Sequence, residues 1–282
     1  MKNPHRTQSI AFFLLFLSTL LIVVPVGLIV VIIIQKGLPA INWQFLSDIP
    51  RQGMRAGGIF PAIVGTFYLV TGAIVFALPI GLLAAIYLSE YSKDNFLTRL
   101  IKLAIVNLAG VPSVVYGLFG LALFVIFFKF GASILSGSLT LGIMILPIII
   151  TTSREALESV PQSFREVSLS LGTSKWQTIR HIVLPNAVPG ILTGTILGLG
   201  RAAGETAPIL FTVAAFYLPQ LPKSIFDQAM ALPYHLYVIS TQVPNVDEKV
   251  RYGTAFVLLA LVLFMNLVAI IIRTKFRKRK KW

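Results

Sequence analysis

The sequence predicts an all-α integral membrane protein that crosses the bilayer six times. Hydrophobic residues make up 56% of the 282 positions, and the mean hydropathy is +0.85. Charged residues make up only 12%, against about 25% in soluble domains. Apolar stretches of membrane length recur along the chain, separated by polar segments. These observations exclude an ordinary soluble domain and favour a single transmembrane domain over residues 1–282.

Six apolar runs predict the spans, because about 20 helical residues cross the hydrocarbon core. Their boundaries are residues 10–34, 61–88, 103–128, 133–152, 188–216 and 254–272. The first run could also be interpreted as a signal peptide, whose apolar region has about 7–15 residues and is followed by a small-residue cleavage site. This run is longer, and Gln35–Leu38 offers no such site, so we expect an uncleaved span. Pro79, Pro112 and Pro147 fall inside three runs, where neighbouring helices can satisfy the carbonyl groups that prolines free.

The basic residues predict the orientation in the membrane. With the N-terminus inside, 16 of the 24 Lys and Arg residues lie inside and seven lie outside. An even number of spans puts both termini on one side, and both terminal segments are basic. We therefore expect both termini and the segment 153–187 to be cytoplasmic. The net charge of +14 does not imply nucleic-acid binding, because anionic membrane lipid is the simpler partner for basic residues beside spans.

The segment 153–187 has local signals for two short helices. Pro161 suits a first helical position, and Gly172 suits the position just past a helix end, where a positive φ is needed. Ser174 and Gln177 match a capping box for the second helix. From this form alone, the segment is either a solvated link between two spans or a docking surface for a partner.

The same segment carries a pattern with fixed gaps. It reads Glu166-Val-Ser, three residues, Gly172, nine residues, then Ile182-x-Leu184-Pro185. The pattern resembles the EAA loop of ABC importer permeases, with Val167 and Ser168 in place of two alanines. We expect Pro185 to end the second loop helix before the fifth span begins.

The resemblance implies a type I ABC importer permease fold and a loop that inserts into a separate ATPase subunit. The coupling residues that it implies are Glu166, Gly172, Ile182, Leu184 and Pro185. The chain has no Gly-x4-Gly-Lys-[Ser/Thr] phosphate-binding loop of its own. ATP and Mg are therefore expected on the partner ATPase, with no cofactor, metal or catalytic residue on this chain.

Two charged residues stand inside the fifth predicted span. Arg201 and Glu205 are four positions apart, which on a helix puts them on one face. A charge at the membrane centre costs about 2.5–3.5 kcal/mol on insertion scales, and such residues usually face a bundle interior or a water-filled path. One interpretation is an ion pair that holds two helices together. The other is an anion pathway, in which the guanidinium makes forked contacts with an oxyanion.

The residues around this pair resemble the signature of phosphate-specific (Pst) ABC permeases. They read Gly-Arg-Ala-x-Gly-Glu-Thr-Ala-Pro from Gly200 to Pro208, and Ala231-Leu-Pro-Tyr234 follows in the next connector. Both stretches look more like the A-type subunit than its C-type partner. The resemblance implies phosphate import by alternating access, with Arg201, Glu205 and Thr206 along the substrate pathway.

The resemblance also implies partners. These are a second, homologous permease subunit, a cytoplasmic ABC ATPase dimer and a periplasmic phosphate-binding protein, assembled at the bacterial inner membrane. Three other classes remain open: an ABC permease for another oxyanion or solute, a secondary transporter or channel without an ATPase, and a membrane scaffold that transports nothing.

The three histidines are dispersed along the chain. We expect His5 and His235 at the surface and His181 on a polar face of the second loop helix. Three separated histidines do not make a metal site.

Overall fold

The computed structural model describes residues 4–278, with side chains for residues 8–276. Its helices are α1 (Pro4–Gly37), α2 (Trp43–Ser47), α3 (Phe60–Ile86), α4 (Phe96–Ala109), α5 (Ser113–Gly120), α6 (Ile134–Glu158), α7 (Gln162–Ser170), α8 (Lys175–Thr178), α9 (Leu184–Gly204), α10 (Ala207–Thr212), α11 (Leu232–Thr241) and α12 (Glu248–Lys278). Wider π-helical turns follow α3, α5 and α8, at Tyr87–Tyr91, Leu121–Phe127 and Ile179–Val183. Two short strands, β1 (Pro50–Arg51) and β2 (Ala56–Gly57), form an antiparallel ribbon between α2 and α3. Lys2, residues 279–281 and the side chain of His5 lie outside the described residues.

Five helical segments in the described part of the chain are long and apolar enough to cross a membrane. They are α1, α3 with its π turn, α6, the segment from α8 to α9, and α12. The pair α4 and α5, which meet at an angle of 102°, makes a sixth crossing if the two helices are counted as one broken span. The prediction of an all-α fold with several membrane helices is confirmed.

The third crossing differs from the predicted run 103–128. The helix starts at Phe96 and breaks after Ala109. Pro112 accounts for the break, because it has no N–H to donate and it disfavours helical backbone at the residue before it. The fourth crossing also continues beyond the predicted 133–152, since α6 runs to Glu158.

The first and last helices run antiparallel and meet at one end. The Nζ of Lys36 lies 3.0 Å from Oε1 of Glu248, so the end of α1 contacts the start of α12. Gly37 packs so closely against the backbone of Tyr252 that a side chain would not fit. The start of α1 and the end of α12 therefore lie on the same side of the protein.

The main core lies where α3, α6 and α9 pack side by side. Its fully buried side chains include Leu69, Leu141, Met144, Ile145 and Ile149. On α9, Gly190 faces Ala156 and Gly194 faces Thr152 of α6. Glycines at this spacing let two membrane helices approach closely, so α9 is held tightly against α6.

A second, smaller core lies under the segment that joins α6 to α9. It contains Ala85 and Ile86 of α3, Leu157 of α6, and Ile179 and Val183 of the π turn. The polar loop is thus seated on an apolar base formed by the ends of three membrane helices.

The second loop helix continues into the membrane and does not stop at Pro185. α8 passes through its π turn into α9, so that Lys175–Gly204 is one helical segment. In this turn the Leu184 N–H donates to the carbonyl of Ile179, five residues back. Pro185 then sits in the first turn of α9, where a missing N–H costs little. The prediction that Pro185 ends this helix is therefore wrong.

The connector between α10 and α12 folds back onto the bundle. The Leu232 N–H donates to Oγ1 of the buried Thr66 at 2.8 Å, which fixes the start of α11 against α3. His235, on α11, is only 3% exposed, so the expectation of a surface position is wrong. The helix that carries it packs against both α3 and α12. Burial lowers the pKa of His235 to about 4, so the ring is neutral at physiological pH.

The orientation can be tested by labelling, because the chain has no cysteine. Cysteines introduced singly at the exposed positions Ser47, Ser163 and Ser224 would be treated with an impermeant thiol reagent in intact cells. We expect labelling at 47 and 224, and labelling at 163 only after the cells are opened. Labelling of position 163 from outside would refute the orientation.

Candidate functional site

The charged pair of the fifth span lies at a break in the helix. α9 ends at Gly204, and Glu205 has an extended backbone with φ −77° and ψ 137°. α10 begins two residues later, at Ala207. Pro208 explains the break, because a continuous helix would need an N–H at that position to reach the carbonyl of Gly204. The prediction of one unbroken helix over 188–216, with both charges on its face, is therefore wrong.

Arg201 and Glu205 nevertheless form an ion pair across the end of α9. The Nε of Arg201 lies 3.5 Å from Oε1 of Glu205, and the side chains are 30% and 20% exposed. Arg201 stands in the last turn of α9, where the helix dipole favours a cation. The guanidinium is therefore held in position but only loosely neutralised. Such a group can bind an oxyanion through its remaining N–H donors.

One wall of the break comes from α5. A Cβ on Gly117 would lie 3.1 Å from the Ala207 carbonyl oxygen and from the Pro208 Cα, and 2.7 Å from the Phe211 ring, so α5 lies in close contact with the start of α10. Thr206 leads into α10 without a side-chain hydrogen bond to the helix start. The non-helical residues at the break are therefore covered by protein on one side, and a threonine stands beside the ion pair.

α12 packs beside the last turns of α9 and brings a polar residue there that the sequence analysis did not identify. Asn266 faces Gly200, and a side chain on that glycine would lie 3.6 Å from the Asn266 Nδ2. The Oδ1 of Asn266 is buried and has no hydrogen-bond partner among the described residues. The one available signal was an asparagine within the apolar run 254–272. Its contact with Gly200 depends on how α12 packs on α9.

The loop between α6 and α9 has the two helices that its sequence predicts. Gly172 follows the end of α7 with a φ of +80°, so the predicted left-handed turn is confirmed. Ser174 and Gln177 form the predicted capping box at the start of α8. Pro161 differs, since it precedes the first helical position of α7.

A cluster of three hydroxyl groups holds the two loop helices together. The Ser168 Oγ lies 2.8 Å from Oγ1 of Thr173 and 2.9 Å from Oγ1 of Thr178. The two threonine hydroxyls lie 3.1 Å apart. Because Ser168 belongs to α7 and Thr178 to α8, the cluster fixes the angle between the helices.

The five predicted coupling residues fall into two groups. Glu166 and Gly172 are on the outer surface of the loop. Beside them, Val167 and Leu171 are 62% and 79% exposed, so this surface is unusually apolar for a loop that faces water. Ile182, Leu184 and Pro185 lie at the base of the loop, around the start of α9. Leu184 packs against the smaller core.

A family model described as "Binding-protein-dependent transport system inner membrane component" matches residues 77–282. The chain belongs to this family. The match includes both the loop and the helix break. The recognition of an importer permease from the loop pattern is thus confirmed, and the chain is a membrane component, not an enzyme. In such transport systems ATP is hydrolysed by a separate subunit.

Relatives cover most of the chain. The "Probable ABC transporter permease protein YqgI" of Bacillus subtilis is 33% identical, over 89% of this chain and 90% of its own length. The "Phosphate transport system permease protein PstA 1" of Mycobacterium tuberculosis is 33% identical, over 97% of this chain and 90% of its own length. The "Probable phosphate transport system permease protein PstA" of Methanocaldococcus jannaschii is also 33% identical, over 92% of both chains.

Solved structures share the fold. The MetNI methionine ABC transporter in an inward-facing conformation matches with a TM-score of 0.59 at 16% identity, over 78% of this chain and 94% of that chain. A bacterial ABC transporter involved in import of the acidic polysaccharide alginate also matches with a TM-score of 0.59, at 17% identity, over 94% of this chain and 96% of that chain. These likenesses concern the fold alone, and the predicted importer permease fold is confirmed.

Proposed function

We propose that this chain is the A-type permease subunit of an ATP-driven phosphate importer in the inner membrane. It would carry inorganic phosphate by alternating access, together with a second, homologous permease subunit. A cytoplasmic ABC ATPase dimer would bind ATP and Mg and drive the cycle, and a periplasmic phosphate-binding protein would deliver the anion. Relatives named as phosphate transport permeases, one of them aligned over 97% of this chain, support the choice of substrate.

The observation that carries the proposal is the position of Arg201. A guanidinium in the last turn before a helix break can make two parallel hydrogen bonds to an oxyanion. Glu205, with its Oε1 3.5 Å away, weakens the attraction, because part of the positive charge is already compensated. Transport requires that the site bind strongly enough to admit the ion and weakly enough to release it. Thr206 adds a hydroxyl next to the same pair.

The fold does not choose the substrate, since the solved relatives that share it carry methionine or alginate by their titles. A permease for another oxyanion would use the same loop and the same arginine. Uptake measured with phosphate and with competing oxyanions separates the two candidates.

We also propose that the loop docks on the ATPase. Glu166 is exposed and has apolar neighbours in Val167 and Leu171, which suits insertion into a groove of another protein. Gly172 sets the direction of the chain at the tip of this surface. Ile182, Leu184 and Pro185 would hold the docking surface on the base of the loop and do not need to touch the partner.

The docking role predicts the effect of Gly172→Val. A β-branched residue at φ +80° costs on the order of 1–3 kcal/mol of backbone strain, although a side chain at this position has open space around it. We expect a membrane-inserted protein that no longer co-purifies with its ATPase. Gly172→Asn is the matched control, because asparagine tolerates left-handed backbone, and it should keep the complex. A Val variant that still supports ATP hydrolysis stimulated by the loaded binding protein would contradict the role.

The pathway role predicts the behaviour of three variants at the break. Arg201→Gln should abolish phosphate uptake while the complex still assembles, since the anion loses its partner. Glu205→Gln combined with Arg201→Gln should also assemble and stay inactive. Arg273→Gln is the matched control, because Arg273 donates to Thr193 of α9 at 3.2 Å away from the break, and it should keep uptake. Uptake that returns in the double variant would leave Arg201 and Glu205 as a structural ion pair only.

A further inference from the structure

An ion pair under the loop joins it to a membrane helix that is distant in sequence. The Nη2 of Arg165, on α7, lies 2.7 Å from Oε1 of Glu90, in the π turn that follows α3. The Nε of Arg165 also lies 3.3 Å from each carboxylate oxygen. The side chains are only 12% and 7% exposed, which makes this the most buried ion pair among the described residues.

Arg165 also binds the end of α6. Its Nη1 donates to the carbonyl of Val160 at 2.7 Å, and its Nη2 donates to the carbonyl of Leu157 at 2.9 Å. One guanidinium therefore connects three parts of the chain: α7, the end of α6 with the residues just after it, and the π turn after α3. Its donors point in fixed directions, because the group is planar and rigid.

The second loop helix contacts the same π turn. The Nζ of Lys175, at the start of α8, lies 5.0 Å from the centroid of the Tyr91 ring. This cation–π contact is within the usual range, but Tyr91 is exposed, so it is the weaker link. Both loop helices are thus attached to the end of α3, although the chain itself connects the loop only to α6 and α9.

A buried ion pair is a poor way to gain stability, because desolvating two charges offsets most of their attraction. Apolar residues of similar volume would hold the loop about as well. An apolar contact lets the two surfaces slide past each other. The guanidinium of Arg165 instead bonds four oxygens, the two of the Glu90 carboxylate and the carbonyls of Val160 and Leu157, and so fixes the position of α7 relative to α3 and α6. This arrangement suits a contact that must keep α7 and the π turn after α3 in a fixed relative position while a force acts on the loop.

We infer that Arg165 and Glu90 are positioning residues that pass movement of the loop to α3. A push on α7 would then displace α3 together with α6, against which α3 packs along its length. This inference rests on the proposed docking of the loop on an ATPase. Neither residue needs to touch the substrate.

Glu90→Gln and Arg165→Gln test the inference in the assembled complex. We expect the ATPase to remain bound and to hydrolyse ATP, while uptake per assembled complex falls about tenfold or more, within the range of typical couplings between linked sites. The ATP hydrolysed per phosphate imported should rise. Asp94→Asn is the matched control, because it breaks the exposed ion pair with Arg99 in the neighbouring connector, and it should change none of these values. Arg165→Lys, which keeps the charge, should fall between the wild type and Arg165→Gln.

A merely structural role predicts a different result, in which fewer complexes assemble but each keeps the wild-type ratio of ATP to phosphate. That result would overturn the inference. Should the glutamine variants not assemble, the same ratio measured for Arg165→Lys decides the question.

The absence of cysteine in the chain allows a second test. Glu90→Cys combined with Arg165→Cys should be uncoupled, and bridging the two thiols with a short bifunctional reagent should restore uptake. The single cysteine variants treated with the same reagent serve as controls. A bridged complex that stays uncoupled would contradict the inference. Failure of the docking proposal is distinguishable, because Gly172→Val would then keep its ATPase, whatever the glutamine variants of Glu90 and Arg165 do.

Discussion

A backbone inside the hydrocarbon core must satisfy its own hydrogen bonds. α9 belongs to a segment that is long and apolar enough to cross a membrane, and its helix ends at Gly204, before the extended Glu205. Each unsatisfied group there costs several kcal/mol, so such a break persists only where protein covers it or where it lines a cavity. The structure meets this condition with α5, whose Gly117 lies against the residues that start α10. The ion pair of Arg201 and Glu205 stands at the same place. α5 packs against α10 at this break, and α12 packs against α9 one turn before it.

The helix that ends at the break begins in the loop. Lys175–Gly204 is one helical segment of 30 residues, which corresponds to about 45 Å at 1.5 Å per residue. Because the π turn carries the helix past Pro185, the proposed docking surface and the proposed anion site lie near opposite ends of one rod. Arg165 gives the loop a second connection, through Glu90 to α3. A force on the loop would therefore reach the membrane along two routes.

Local chemistry made part of this structure predictable. Gly172 and the Ser174–Gln177 capping box were predicted correctly because each depends on a few neighbouring residues. The number of crossings followed from apolar length. By contrast, the course of the helix through Pro185 depends on a hydrogen bond between Leu184 and Ile179, and proline alone gives no sign of that turn.

Contacts between distant segments could not be predicted. Glu90 and Arg165 are 75 positions apart, and neither has a pattern around it that points to the other. His235 was expected at the surface, yet a hydrogen bond from the Leu232 N–H to Thr66 holds α11 against α3. The proposed pathway residues were found because a charge within an apolar run is conspicuous. Asn266 was missed because an uncharged amide within an apolar run is less conspicuous than a charge.

In the proposed mechanism, the anion meets Arg201 at the helix break. The most direct measurement is a structure of the assembled complex in a lipid bilayer, trapped during transport in the presence of phosphate. We expect phosphate oxygens about 3 Å from the guanidinium nitrogens of Arg201, at hydrogen-bond distance, with Glu205 displaced from its present contact. Phosphate bound elsewhere in the pathway, with the ion pair of Arg201 and Glu205 intact, would contradict it.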